Sequence, residues 1–273
     1  MSKLISLTGE EFGADTISKM HMDEFYYNMK VLSYSNMKHI LKSPKWFKHK
    51  MEKPDPESQA LRDGSLVHTE ILEPEKYGTL HFCDTSTKST KKWKLAVEKF
   101  GKAYTYTMKE KYMNSRIVTA FLQNKKAVSF LSKSQTEVPA LMSMKSLGGS
   151  VDIAIRGKAD IYREGAFVAD VKTTSGGVGE VILKDGTVSN QFKFAIDSYD
   201  YDLQAYLYTQ LFNVPDFYWL VIDKATTDIG IFKASEQTLE NGKVKVEAAV
   251  AIYEAFFVDN IVDLNEYYKE ATL

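Results

Sequence analysis

Residues 151–174 read VDIAIRGKADIYREGAFVADVKTT. Two runs rich in Val, Ile and Ala, 151–162 and 166–174, flank Arg163-Glu164-Gly165, which predicts two antiparallel strands joined by a tight hairpin. Charges interrupt both runs, and a charge inside a sheet is costly unless something compensates it. Side chains alternate along a strand, so Arg156, Lys158 and Asp160 share one face of the first strand. Asp170 and Lys172 share one face of the second, with Val171 turned away. Folding the hairpin brings Asp160 within reach of Asp170, and two carboxylates that close repel unless a cation lies between them. A hard divalent ion such as Mg²⁺, held by one or two carboxylates and phosphate oxygens, meets that need. Lys172 is then free to orient a water or to meet charge developing on phosphorus. Asp-x-Lys alone is common on exposed strand edges and in surface ion pairs, so its meaning depends on its companions.

Working outward, EVPALMSM (137–144) reads as a strand before the hairpin, and FYWLVID (217–223) and DIGIFKA (228–234) as strands after it. A short basic helix and its exit are predicted over 33–52, broken at Pro44, and a second helix over 57–72, stopped before Pro74. Thr107 and Glu110 form a capping box for a helical stretch to about residue 132 with a break at Asn124-Lys125-Lys126. Residues 84–106 read as a loop entering a helix, and 175–197 as a Gly-rich loop or small hairpin. Residues 197–212 read as one helix capped by Asp197 or Ser198, and 236–257 as the last. The fold class is α/β: a mixed central sheet flanked by helices with an N-terminal helical elaboration. We expect one domain over 1–273, mainly helical and basic over 1–136, with the mixed-sheet core over 137–273.

Composition narrows the chemistry. The chain has 273 residues, 44% hydrophobic and 26% charged, enough for a substantial core. No apolar run approaches a membrane span and no secretory signal opens the chain, so a cytoplasmic protein without membrane attachment is expected. Cys83 is the only cysteine, which excludes an internal disulfide, a Cys-based zinc site and a four-cysteine iron–sulfur cluster. Gly176, Gly177 and Gly179 follow a strand but satisfy no phosphate-loop pattern, so no nucleotide cofactor is expected, and no GxSxG elbow marks a serine hydrolase. The net charge of −1 averages a basic half, 1–150, with 24 Lys and Arg against 16 Asp and Glu, and an acidic half with 11 against 20. The first can face a polyanion and the second can gather divalent cations, or both are solvated surface.

The companions of Asp170 and Lys172 are Asp160, ten residues earlier, and Gln204 and Tyr208, one turn apart on a following helix. Gly64 and His68 sit one turn apart on an upstream helix, and Glu137 heads the first strand. Read singly, Tyr208 is a core aromatic, Glu137 a surface acid and His68 a hydrogen-bonded core histidine. Taken in order, with LSYSNMKHILKSPKWF and GSLVHTEILEPEKY ahead of them, these motifs resemble the RecB-like branch of the PD-(D/E)xK nucleases, and within it the RecE, or exonuclease VIII, family of phage recombination exonucleases. The resemblance covers about residues 30–77 and 137–223.

That resemblance implies that His68, Asp160, Asp170 and the Val171 carbonyl ligate Mg²⁺, with Mn²⁺ a possible substitute, and that Glu137 is a further acidic ligand. It implies that Lys172 activates or positions the water and that Gln204 and Tyr208 hold DNA beside the scissile phosphate. Arg156, Lys158 and Thr174 are further expected DNA contacts, as are Lys91, Lys92 and Lys94 in the stretch 88–111, where eight lysines interleave with Trp93, Phe100, Tyr104 and Tyr106. The implied activity is digestion of linear duplex DNA from its ends, 5′ to 3′, by a homo-oligomeric ring working with a single-strand annealing protein. The alternatives are an endonuclease of the same superfamily and a non-catalytic DNA-binding phage protein.

Overall fold

The computed structural model describes residues 3–259, 262–268 and 270. The chain enters through two short helices, α1 (Thr16–Lys19) and α2 (Asp23–Asn28), and a two-residue strand, β1 (Leu32–Ser33), where the sequence pattern predicts no element. Ser33 then caps α3 (Tyr34–Lys42) by accepting from Asn36 N. Pro44 breaks the helical run as expected, but it opens α4 (Pro44–Glu52) rather than an exit loop, because proline is preset for the first helical position and Ser43 supplies the cap. Next come α5 (Gln59–Leu72), capped by Ser58, and α6 (Pro74–Gly78).

The stretch 84–106, expected as a loop entering a helix, holds a helix flanked by strands. Strands β2 (His81–Cys83) and β3 (Thr105–Thr107) pair in parallel around helix α7 (Lys91–Phe100). Strands of three residues are too short for alternation to register in sequence. The capping box forms as read: Thr107 and Glu110 exchange hydrogen bonds at the start of α8 (Met108–Gln123), and Asn124 ends it and caps α9 (Lys125–Leu131).

The core sheet contains β4 (Gln135–Ser143), β5 (Ala154–Arg163), β6 (Phe167–Thr174), β9 (Asp216–Asp223) and β10 (Ile229–Lys233), with β1 added beside β5. Between β6 and β9 lie a small hairpin, β7 (Glu180–Ile182) and β8 (Val188–Asn190), and helices α10 (Gln191–Tyr199) and α11 (Tyr201–Phe212). The single helix expected over 197–212 is thus two. Asp200 breaks it in the left-handed conformation (φ 55°, ψ 38°), which short polar residues tolerate, and Lys245 of α12 (Glu236–Tyr253) holds its carboxylate at 2.8 Å. The helix start lies in neither Asp197 nor Ser198; Asn190 caps α10 by accepting from Phe192 N.

Strand β6 pairs in parallel with β9 along its whole length, 167–174 with 216–223, so it lies inside the sheet with both faces covered. On one face Val168, Phe217, Trp219 and Val221 pack with Leu203 and Leu207 of α11 and Val246 and Val250 of α12. On the other, Phe167, Ala169, Val171, Leu220 and Ile222 pack with Val67 and Ile71 of α5, Ile117 and Phe121 of α8 and Phe130 of α9. Each Val, Leu, Ile or Phe among them contributes about 1.5–3 kcal/mol on full burial, which fixes the register of β6.

The pairing of β5 positions the site. Along one edge it pairs with β4 from Ala154 to Tyr162. Along the other it pairs with β1 at Ile155 and Arg156, and with β6 only at Ile161, Tyr162 and Arg163. Residues 157–160 are therefore bridged to no strand on that edge among the described residues. The sheet has a gap there.

Candidate metal centre

The gap is closed by side chains. Asp160, just short of the β5–β6 ladder, accepts a hydrogen bond on Oδ2 from Val171 N at 2.7 Å, replacing a strand-to-strand bond. From α5, His68 brings Nδ1 to 3.3 Å from the same oxygen. Glu137 lies across the β4–β5 register from Asp160, between the bridged pairs Thr136–Ile161 and Val138–Ala159. It is held at φ 52°, an unusual conformation for a non-glycine residue within a strand and one that redirects its side chain. His68, Glu137 and Asp160 each present a ligand atom, all within 4.8 Å of one another.

Asp170 and Lys172 share a face, as the alternation predicts. Asp170 is buried, accepts from Gln204 Nε2 at 2.7 Å on Oδ1 and pairs through Oδ2 with Lys172 Nζ at 2.6 Å. Lys172 also lies over the Tyr201 ring, 5.0 Å from its centroid. Gln204 Oε1 is buried without a hydrogen-bond partner. Because the β5–β6 ladder is open here, His68 from one face of the sheet and Asp170 from the other act on the same carboxylate.

Their electrostatics favour a cation. Burial, then the neighbouring charge of Asp170, pushes the Asp160 carboxyl well above the usual carboxylate range, against the opposing pull of Lys172 and the Val171 N–H. Burial and then Asp160 push Glu137 up to about 7, although Lys158 opposes them. Burial lowers the His68 pKa, which favours the neutral imidazole that can ligate. Burial disfavours charge on Lys172, but Asp170, Tyr201 and Asp160 outweigh it and its pKa rises. Two acids kept from ionising by burial and by neighbouring carboxylates, beside a neutral imidazole, form a donor set suited to a divalent ion. Two hard oxygens and one nitrogen fit Mn²⁺ as well as Mg²⁺.

The remaining sequence-derived residues have varied placements. Tyr208, one turn beyond Gln204, packs with Phe212 and Phe217 in the core, and burial raises its pKa, so the phenol stays neutral. Arg156, read as a DNA contact, donates instead to the carbonyls of Tyr26 and Met29 and caps the Tyr26 ring, which ties down the N-terminal segment. Lys158 pairs with Asp23 and Glu137. Thr174 ends β6, its hydroxyl accepting from Gly176 N. Lys91, Lys92 and Lys94 are exposed on α7, Lys92 pairing with Asp84. Of the aromatics in 88–111, Trp93 and Tyr106 are buried; Tyr104 is exposed, and Phe100 stacks on His81. Sequence reading missed Asp23, Lys76 and Tyr201 beside the centre. Lys76, within the LEPEKY helix exit, and Tyr201, on the helix read over 197–212, lay in stretches singled out for other reasons.

An α/β sheet that carries Asp160, Asp170 and Lys172 on adjacent strands, with Gln204 from the following helix bonded to the second acid, defines the PD-(D/E)xK class of fold. The chain belongs to the family described as a PDDEXK-like domain of unknown function (DUF3799), whose model matches residues 33–257. Among solved structures it is similar to a "Putative exonuclease" from Eubacterium rectale, at 16% identity over 97% of each chain with a TM-score of 0.60, a likeness of fold. The structure of SSO0001 aligns over 80% of this chain and 84% of that one at 15% identity, with a TM-score of 0.32, too low to support an argument. No curated protein matches the chain.

Proposed function

We propose that this protein is a divalent-metal-dependent deoxyribonuclease that digests linear duplex DNA from its ends. The observation that carries this reading is the convergence of His68, Glu137 and Asp160 in the sheet gap, with the Asp170–Lys172 pair at its side. His68, Glu137 and Asp160 would hold the ion, with Asp170 as a further oxygen donor once Lys172 releases it. The ion supplies positive charge to the phosphate under attack. The chain's own groups do the rest. Lys172, half-buried beside Asp170 and kept protonated, donates hydrogen bonds that orient a water and offset charge developing on the phosphate oxygens. Gln204 fixes the rotamer of Asp170, and the Val171 N–H fixes that of Asp160, so neither acid reorganises during the reaction.

Mg²⁺ as the working ion, 5′ to 3′ polarity, a ring of subunits, a role in recombination and an annealing partner rest on the motif resemblance to RecE-type exonucleases. The deciding experiment incubates the protein and Mg²⁺ or Mn²⁺ with linear duplex labelled at one 5′ or one 3′ terminus, beside a covalently closed circle. Loss of label from linear DNA with the circle left whole is expected. Cutting of the circle would make the enzyme an endonuclease, and metal-independent binding without any product would remove catalysis from the reading.

A further inference from the structure

A chain of ion pairs runs from the metal centre to the N-terminal segment. Glu137 Oε2 lies 3.6 Å from Lys158 Nζ, which lies 2.8 Å from Asp23 Oδ1. Asp23 Oδ2 in turn lies 2.5 Å from Lys76 Nζ, which also meets Glu73 at 3.0 Å. The two oxygens of Asp23 thus each take a different ammonium, as two non-bridging phosphate oxygens would. Lys158 is only 9% exposed, so its charge needs an anion, and it lies two residues before Asp160 on β5. Asp23 is 40% exposed, and pairs open to water exchange partners at little cost.

Packing does not require Asp23. The segment is held by Met20, Tyr26, Met29 and Val31 in a small core with Ala154, and by Arg156 donating to the Tyr26 and Met29 carbonyls. We propose that Lys76 and Lys158 form a binding site for a backbone phosphate of the nucleic acid substrate, and that Asp23 fills it as an internal surrogate until the substrate displaces it. This deepens the nuclease reading and rests on it. The site sets affinity and salt dependence, because each phosphate seated on the pair must first expel a carboxylate from it.

The test measures equilibrium binding of a fluorescent linear duplex of about 30 base pairs in EDTA, where no cleavage occurs, across a salt series. Asp23→Asn keeps the shape and removes the charge; Asp15→Asn removes a charge from the same segment where Asp15 pairs with Lys19 at the surface. Asp23→Asn is expected to tighten binding about 3- to 10-fold and to steepen its salt dependence by about one counterion, Asp15→Asn to leave both within about twofold, and Asp23→Asn with Lys76→Met to lose the gain. Should Asp23→Asn unfold by circular dichroism, Lys76→Met against Lys76→Arg decides, since only the first should weaken binding. Wild-type binding with Asp23→Asn no tighter than Asp15→Asn, or with Lys76→Met no weaker than Lys76→Arg, overturns the surrogate and leaves the nuclease reading intact. Absence of binding by every variant overturns both.

Discussion

In the proposed reaction, the chemistry turns on Lys172. Its ammonium lies 2.6 Å from Asp170 and over the Tyr201 ring, so it is positioned beside the acid before any substrate arrives. Lys172→Ala is expected to lower cleavage by about 10²–10³-fold while duplex binding in EDTA persists, because its donors act on charge that develops only in the transition state. Gel assays of product and polarisation assays of binding on the same preparations check both halves. Glu137 makes a second prediction at this scale. Its carboxyl is pushed from 4.5 to about 7 by burial and by Asp160, so between those values the folded chain holds a proton that the unfolded chain has lost. Stability of the ion-free protein therefore falls as pH rises from about 4.5 to about 7 through this group, and Asp160 adds a slope of the same sign. Glu137→Gln should flatten that decline in Tm, measured in EDTA from pH 5 to 8; an unchanged slope would contradict the placement of the acid.

Helix α11 carries Gln204 to Asp170, and its distance from the sheet and from α12 is set by two glycines. A Cβ on Gly242 of α12 would stand 2.1 Å from the Asp202 carbonyl oxygen, and one on Gly157 of β5 would stand 2.7 Å from Leu211 Cδ1. Gly242→Ala meets backbone rather than a movable side chain, so it must push α12 from α11. A loss of about 1–3 kcal/mol is expected, read as a lower denaturation midpoint, with reduced cleavage as Gln204 shifts. Most elements of this size were legible from sequence. The hairpin 151–174 and the capping box of α8 rest on contacts within a few residues, and β9 on a continuous apolar run, all of which local pattern encodes. The α10–α11 break was not, since Asp200 adopts its left-handed turn while its carboxylate is bound by Lys245, 45 residues away.

Across the whole molecule, the centre joins α5, β4 and β5, so an ion there bridges chain segments up to 92 residues apart. None of the helices among the described residues is long and apolar enough to cross a membrane. Mn²⁺ or Mg²⁺ at about 100 times its Kd should stabilise the fold by about 2.7 kcal/mol. Because protons on Glu137 and Asp160 compete with the ion, the gain in Tm should be larger at pH 8 than at pH 5.5 and absent in Asp160→Asn. Equal shifts at both pH values, or an undiminished shift in Asp160→Asn, would exclude these residues as the ligands.

Sequence by itself determined the core strands β4, β5, β6, β9 and β10, most of the helices and the placement of Asp170 with Lys172 on one face, because side-chain period and capping act over two to four residues. Tertiary structure alone decided that β5 leaves its edge unpaired over 157–160, that Glu137 turns through a positive φ to meet Asp160, that Arg156 anchors the N-terminal segment, and that Asp23 lies between two lysines. Those placements depend on how two helical layers pack against one twisted sheet, and no local spacing records a distance between groups separated by 23 to 135 residues.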